Sequence, residues 1–176
     1  MPKITRDQVK VPVDVMPEVR DLYVDNYMKA TRGTGRLMLF ACDQKIEHLN
    51  KDFYGEGIDI ADAEPEHLFK IGSEGVCGVL AGQRGLIAQY AADYPEINYL
   101  VKMNSKTNLV STKQEDPYSP QLTDLDAVLA MRDAGVNIVG LGYTIYLGSE
   151  YEATMMAEAG ELIAEAHANG LLVVLW

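Results

Sequence analysis

The chain has 176 residues, of which 48% are hydrophobic, enough for one sizeable core but not comfortably for two. Its formal net charge of -11 argues against a nucleic-acid partner and an anionic membrane surface, because both need clustered lysine and arginine. No apolar run approaches the roughly 20 residues of a membrane span, and the N-terminus lacks the apolar segment of a secretory signal. Cys42 and Cys77 fall in predicted strands as buried free thiols, so we expect a cytoplasmic protein.

A polar arm opens the chain, and Pro17 starts a predicted helix that ends near Gly33. We assign residues 1–35 to this arm and helix, and residues 36–176 to a region in which strands and helices alternate. The predicted strands cover residues 36–42, 75–81, 97–103, 138–141 and 171–176. The predicted helices between them cover residues 65–74, 83–94, 124–134 and 150–168.

Strands that alternate with helices predict a parallel sheet with right-handed crossovers. Two architectures fit this pattern. One is a five-stranded doubly wound sheet, which suits the length, and the other is a (β/α)8 barrel of about 250 residues, of which the first five βα units would be present. The loops after the first and third strands are long and polar, as functional βα loops are. No glycine-rich phosphate loop follows the first strand. Both features favour the barrel.

The fourth predicted strand carries two tyrosines, Tyr143 and Tyr146, toward its carboxyl end. In parallel α/β proteins that end of a strand is where ligands bind, and a phenol there can exchange a proton with a substrate oxygen. The alternative is that both rings are amphipathic residues at the edge of the core. Ser149 to Glu152 has the form of a capping box, which predicts that a helix starts directly afterwards.

Lys102 lies inside the third predicted strand, where an ammonium cannot be buried without a partner. The side chain therefore reaches water at the strand end, pairs with a carboxylate, or loses its proton in a dry pocket. A neutral amine could form a Schiff base with a ketone. The sequence leaves these alternatives open.

A polar cluster, Asp43, Glu47 and His48, follows the first strand. Carboxylates and imidazole suit several divalent cations, but no second histidine stands at helical spacing. We therefore predict a polar substrate contact by Asp43 rather than a metal site, with no metal and no cofactor. His67 and His167 lie on predicted helices and are expected at the surface or at helix caps.

Four segments, FACDQKIEHLNKDFYGEGI, YLVKMNSKTNL, LGYTIYLGSEYEA and HANGLLVVLW, occur in this order, and together they resemble the archaeal-type class I fructose-bisphosphate aldolases. The resemblance implies a (β/α)8 barrel that cleaves fructose 1,6-bisphosphate through a lysine Schiff base. It implies that Asp43 contacts the sugar and the Schiff-base lysine, that Lys102 is a polar neighbour in the active site, and that Tyr146 is the general acid and base. The predicted substrate contacts in the same motifs are Gln44, His48 and Ser149.

In that family the Schiff-base lysine lies on strand six, and loops after strands seven and eight hold the phosphate. The sequence ends at Trp176, on the fifth predicted strand, so we expect the N-terminal portion of such an enzyme, inactive by itself. The resemblance further implies a sugar phosphate substrate and a homo-oligomer for the intact enzyme. Two other hypotheses remain open: a related aldolase or synthase of another sugar phosphate or ketoacid, and a non-catalytic α/β binding module.

Overall fold

Five parallel strands form one sheet in the computed structural model, which describes residues 3–49, 52–109 and 118–176. The strands pair in chain order, each with the next. A doubly wound sheet would break that order at a switch point, so the consecutive order identifies part of a (β/α)8 barrel wall and excludes the doubly wound alternative. The strands are β1 Leu39–Ala41, β2 Val79–Gln83, β3 Tyr99–Lys102, β4 Ile138–Tyr143 and β5 Leu172–Leu175.

One helix precedes the first strand, the others lie between successive strands, and the four longest of these cover one face of the sheet. The helices are α1 Arg20–Ala30, α2 Gln44–Glu47, α3 Pro65–Glu74, α4 Arg84–Tyr90, α5 Leu125–Asp133 and α6 Glu152–Ala168, with short 3-10 turns at Arg6–Gln8, Pro17–Val19 and Ile60–Ala63. None of the described helices is both long enough and apolar enough to cross a bilayer.

Side chains along each strand alternate between two faces of the sheet, as the two-residue period requires. The outer face packs against the helices and forms the larger hydrophobic core, with Phe69, Tyr99 and Leu162 among its buried members. The inner face is the barrel interior and carries a smaller apolar cluster built from Leu39, Val79, Ala81, Leu100, Val139, Leu172 and Val174. Polar residues that continue this inner alternation therefore project from the carboxyl ends of the strands into the barrel.

The helix α1 closes the opposite end of the barrel. The Asn26 side-chain amide donates to the backbone carbonyl of Gly170 at 2.8 Å, and the Lys29 ammonium donates to Asn137 at 3.1 Å. Both acceptors lie just before strands. Gly78 passes so close to α1 that a Cβ there would lie 1.7 Å from the Ala30 carbonyl oxygen. The second strand begins only after this crossing: it covers Val79–Gln83, whereas the sequence predicted residues 75–81.

Three local expectations need correction. Cys42 is buried directly after β1, whereas Cys77 is half-buried in the segment before β2 and not in a strand. His167 lies in the last turn of α6, near the helix cap, but is 9% exposed rather than at the surface, and its ring bonds Asp14 of the N-terminal arm at 2.8 Å. The predicted capping box is not formed as such: Ser149 lies in a turn two residues before the N-cap of α6.

Candidate active site at the carboxyl ends of the strands

The candidate site is built from the last inner-facing residues of β2 and β3 and from the first residues after β1. Gln83 ends β2 and is in register with Lys102, which ends β3. Asp43 follows β1 by two residues, so it continues the inner alternation of Leu39 and Ala41. Neighbouring parallel strands thus bring these three side chains to one rim of the barrel.

Lys102 is held as an ammonium by two carboxylates. Its Nζ lies 2.8 Å from Asp43 Oδ2 and 3.3 Å from Glu47 Oε1, and its side chain is 1% exposed. The two acid side chains are 8% and 16% exposed. Pairing with a carboxylate is therefore the alternative that the structure selects for Lys102. With both acids ionised, the cluster carries one negative charge in excess.

The helix α2 explains why both carboxylates reach the same ammonium. Asp43 and Glu47 are four residues apart, and the backbone N–H of Glu47 donates to the Asp43 carbonyl at 3.2 Å. Residues at this spacing lie on the same side of a helical turn. The acid at position 47, considered above only as a possible metal ligand, is thus a direct partner of Lys102.

Two neutral side chains complete the hydrogen bonding around the acids. The Ser105 hydroxyl donates to Glu47 Oε1 at 3.1 Å, and Gln83 Nε2 donates to the Ser105 hydroxyl at 3.3 Å and to the Asp43 carbonyl at 3.1 Å. Gln83 Oε1 is buried with no hydrogen-bond partner among the described residues. A buried ion pair is tolerated only when its remaining polar atoms are satisfied, and here Ser105 bonds the Glu47 carboxylate while Gln83 holds Ser105 and the backbone of Asp43.

An aromatic ring lies over the ammonium. The Trp176 ring centroid is 5.1 Å from Lys102 Nζ, a distance at which a cation is attracted to an indole face. Gly142 makes room for this ring, since a Cβ there would lie 2.6 Å from Trp176 Cζ3. Sequence reasoning did not single out Trp176, Gln83 or Ser105, although Gln83 and Trp176 both continue the inner alternation of their strands.

The two tyrosines have different environments. Tyr143 is fully buried on the outer face and donates a hydrogen bond to Glu158. Burial, and then this bond, raise the pKa of the Tyr143 phenol well above its ordinary value of 10. Tyr118 donates to the same carboxylate at 2.7 Å, so Glu158 ties the loop after β3 to α6. Tyr143 is therefore a core residue, as the alternative interpretation had it.

Tyr146 lies beyond β4, in the turn that leads to α6. It is half-buried, packs against the outer core, and its ring centroid is 5.8 Å from the Lys106 ammonium. Lys106 is the neighbour of Ser105, which bonds Glu47. The structure thus places Tyr146 on the same end of the barrel as the Lys102 cluster, and its role in proton transfer stays a prediction.

The predicted substrate contacts lie around this rim. Gln44 is exposed at the start of α2, His48 pairs with Asp52, and the Ser149 hydroxyl accepts from the Tyr151 backbone N–H at 3.1 Å. Their contacts with substrate stay predictions. Within the described ranges, no group of three or more histidine, cysteine or acidic side chains is arranged to hold a metal ion.

Residues 37–176 match the family model of the DeoC/LacD family aldolases. The chain belongs to the DeoC/LacD aldolase family. The family region thus includes all five strands and every residue of the Lys102 cluster.

The relatives of this DeoC/LacD aldolase chain carry aldolase names. A fructose-bisphosphate aldolase/6-deoxy-5-ketofructose 1-phosphate synthase of Methanocaldococcus jannaschii is 51% identical over 176 residues, which cover 99% of this chain and 56% of the relative. A class 1 fructose-bisphosphate aldolase of Halobacterium salinarum is 29% identical over 143 residues, covering 81% of this chain and 50% of the relative. The chain therefore spans about half the length of the curated relatives it matches.

Two solved structures show the same fold. The fructose-bisphosphate aldolase from Slackia heliotrinireducens matches with a TM-score of 0.96 and 79% identity, over 99% of this chain and 55% of that one. An archaeal fructose-1,6-bisphosphate aldolase, solved with its catalytic lysine covalently bound to the carbinolamine intermediate, matches with a TM-score of 0.71 and 23% identity, over 88% of this chain and 56% of that one. The second likeness concerns the fold alone.

Proposed function

We propose that this chain forms the first five βα units of a class I fructose-bisphosphate aldolase and contributes Asp43 and Lys102 to its active site. The reaction is the reversible cleavage of fructose 1,6-bisphosphate to dihydroxyacetone phosphate and glyceraldehyde 3-phosphate through a lysine Schiff base. The observation that carries this proposal is the buried Lys102–Asp43–Glu47 cluster at the carboxyl ends of the strands, the end at which barrel enzymes bind their substrates.

Lys102 is not the nucleophile in this proposal. A Schiff base forms from a neutral amine with a free lone pair. The Lys102 ammonium instead donates hydrogen bonds to two carboxylates, Asp43 at 2.8 Å and Glu47 at 3.3 Å. The resemblance to class I aldolases assigns the nucleophile to strand six. In that arrangement the Schiff base withdraws electrons as the bond between C3 and C4 of the sugar breaks.

The residues of this chain then act on the sugar hydroxyls. Lys102 donates a hydrogen bond to a substrate oxygen, and Asp43 accepts one from a hydroxyl, so together they orient the chain of the sugar. Fixed charges in a buried site stabilise charge that develops during bond cleavage. Tyr146 takes the proton from the C4 hydroxyl as the bond breaks and returns a proton to the enamine carbon.

The test is the rate of triose phosphate formation from fructose 1,6-bisphosphate by the polypeptide that carries these residues. Lys102→Met is expected to lower kcat/KM on the order of a hundredfold, because it removes a fixed charge from the site. Tyr146→Phe is expected to lower kcat by about 10²–10⁴-fold, the usual contribution of a general acid or base. The matched control Tyr54→Phe changes an exposed ring and leaves both constants unchanged. Full activity of both site variants would contradict the proposal.

A second candidate is suggested by the Methanocaldococcus jannaschii relative, which is named for a 6-deoxy-5-ketofructose 1-phosphate synthase activity as well. The same Lys102 cluster can orient the hydroxyls of either ketose phosphate. The ratio of kcat/KM for the two sugar phosphates decides between them. The proposed homo-oligomer is tested separately, by the mass of the particle in multi-angle light scattering.

A further inference from the structure

The Lys102 ammonium is part of a longer series of hydrogen bonds that links two strands and a helix. Glu47 accepts from Lys102 at 3.3 Å and from Ser105 at 3.1 Å, and Ser105 accepts from Gln83 at 3.3 Å. Gln83 ends β2, Lys102 ends β3, and Glu47 ends α2. The four residues are therefore held by three elements, since Ser105 follows Lys102 in the segment after β3, and the position of the ammonium depends on all of them.

Most of these hydrogen-bonded side chains are buried, so the loss of one hydrogen bond is not compensated by water. Lys102 and Ser105 are each 1% exposed and Gln83 is 7% exposed. Water cannot readily replace a partner at such depth, and a buried polar atom without a partner is unfavourable. The Gln83 amide has one orientation that satisfies its neighbours, because its Nε2 must donate to the Asp43 carbonyl. The same orientation makes Nε2 the donor toward Ser105, which leaves the Ser105 hydroxyl hydrogen for Glu47.

We propose that Glu47, Ser105 and Gln83 are positioning residues that fix the Lys102 ammonium at the rim of the barrel, with Glu47 as the acceptor that directs it. This inference rests on the function proposed above and adds to it the residues that orient the substrate-facing cation. An ammonium has three hydrogens. Asp43 and Glu47 take two of them, which leaves the third, beneath the Trp176 ring, to bond a sugar oxygen in the proposed complex.

Glu47 has a different role from Asp43 in this arrangement. Asp43 is the nearer carboxylate, at 2.8 Å, and follows β1 directly. Glu47 receives its second hydrogen bond from a serine that is itself held by a glutamine. Replacement of Glu47 by glutamine keeps its shape but removes its charge, so the Lys102 ammonium and the Ser105 hydroxyl are left with a neutral amide oxygen as their acceptor.

The first test observes the ammonium itself and needs no activity. Lysine ammonium groups that are buried and hydrogen-bonded exchange slowly enough to give 15N–1H correlations, and the Lys102 signal is assigned by its loss in Lys102→Met. In Glu47→Gln we expect the signal to shift or to disappear through faster exchange, and in Ser105→Ala to shift less. The matched control Glu74→Gln changes an exposed carboxylate at the end of α3 and leaves the signal in place. An unchanged Lys102 signal in Glu47→Gln would overturn the proposal.

The second test measures catalysis in the same variants of the polypeptide. Glu47→Gln is expected to lower kcat on the order of tenfold to a hundredfold with a smaller effect on KM, since a misplaced group loses orientation before it loses binding. Glu47→Asp, which keeps the charge, recovers part of that loss. Equal kcat in Glu47→Gln and Glu74→Gln would contradict the positioning role. If an unsubstituted polypeptide that carries these residues together with the sixth strand cleaves no sugar phosphate, the proposed function fails, while the ammonium signal still decides the inference about Glu47.

Discussion

Replacement of Lys102 by methionine should destabilise the protein more than neutralisation of Asp43 beside it. The cluster of Lys102, Asp43 and Glu47 carries a net charge of -1 when both acids are ionised. Lys102→Met leaves the buried Asp43 and the partly buried Glu47 carboxylates without a cation and raises the excess to two negative charges. Asp43→Asn instead brings the cluster to neutrality, with Glu47 still paired to the ammonium.

The expected losses in the free energy of unfolding follow from the different net charges that the variants leave behind. Removal of one partner from a buried ion pair lowers stability by about 3–5 kcal/mol, and we expect Lys102→Met to lie in that range. Asp43→Asn loses a charged hydrogen bond but leaves no unpaired charge, so we expect about 1–3 kcal/mol. The double variant Lys102→Met/Asp43→Asn retains one carboxylate, Glu47, which is 16% exposed and still accepts from Ser105. It should therefore be more stable than Lys102→Met alone.

The assay is equilibrium unfolding in urea, followed by far-ultraviolet circular dichroism, with free energies extrapolated to water. Lys10→Met, at an exposed lysine of the N-terminal arm, is the matched control and should change the free energy of unfolding by less than about 0.5 kcal/mol. The reasoning is refuted if Lys102→Met is no more destabilising than Lys10→Met. It is also refuted if the double variant is less stable than Lys102→Met, since the second substitution should relieve repulsion.

Three further outcomes are expected. Gly78→Ala should lower stability by about 3 kcal/mol or more, because its Cβ would meet the Ala30 carbonyl. In the same urea assay, Gly160→Ala in α6 should raise stability by roughly 0.5–1 kcal/mol, because the added Cβ has no neighbouring atom within 4 Å outside the helix itself. Cys42 should resist iodoacetamide at pH 8 while half-buried Cys77 is alkylated, as peptide mass spectrometry would show, because burial raises the pKa of the Cys42 thiol. The hydrogen bond from His167 lowers the pKa of the Asp14 carboxyl below its ordinary value of 3.8. The loss of stability in Asp14→Asn should therefore be present at pH 7 and should vanish as pH falls through that lowered pKa. A pH-independent loss of stability would contradict the role of the charge.

The parts of the fold that depend on local pattern were predictable. Alternating strands and helices gave the parallel sheet, and long polar loops after two strands favoured a barrel, which the consecutive strand order confirms. Asp43 could be placed just past the end of one strand and Lys102 inside another, and the structure brings them together at 2.8 Å. A lysine in a buried strand needs a charged partner, so the sequence indicated that a carboxylate could lie near Lys102.

The parts that depend on distant contacts were not predictable from local pattern. His167 is buried because Asp14, 153 positions away, folds back onto it. The second strand starts late because α1 crosses the chain at Gly78. Tyr143 and Lys102 face opposite sides of the sheet because Lys102 pairs in register with Gly142, and neighbours along a strand alternate. That register includes an irregularity between Tyr99 and Leu100, which a count of residues cannot anticipate.

The most direct measurement of the central claim is borohydride trapping with dihydroxyacetone phosphate, followed by peptide mapping of the modified lysine. The account predicts that the 176-residue chain alone acquires no adduct, and that in a polypeptide with aldolase activity the adduct lies on a lysine other than Lys102, because Asp43 and Glu47 hold Lys102 as an ammonium. Stoichiometric reduction of the sugar onto Lys102 would contradict it and would make Lys102 the nucleophile.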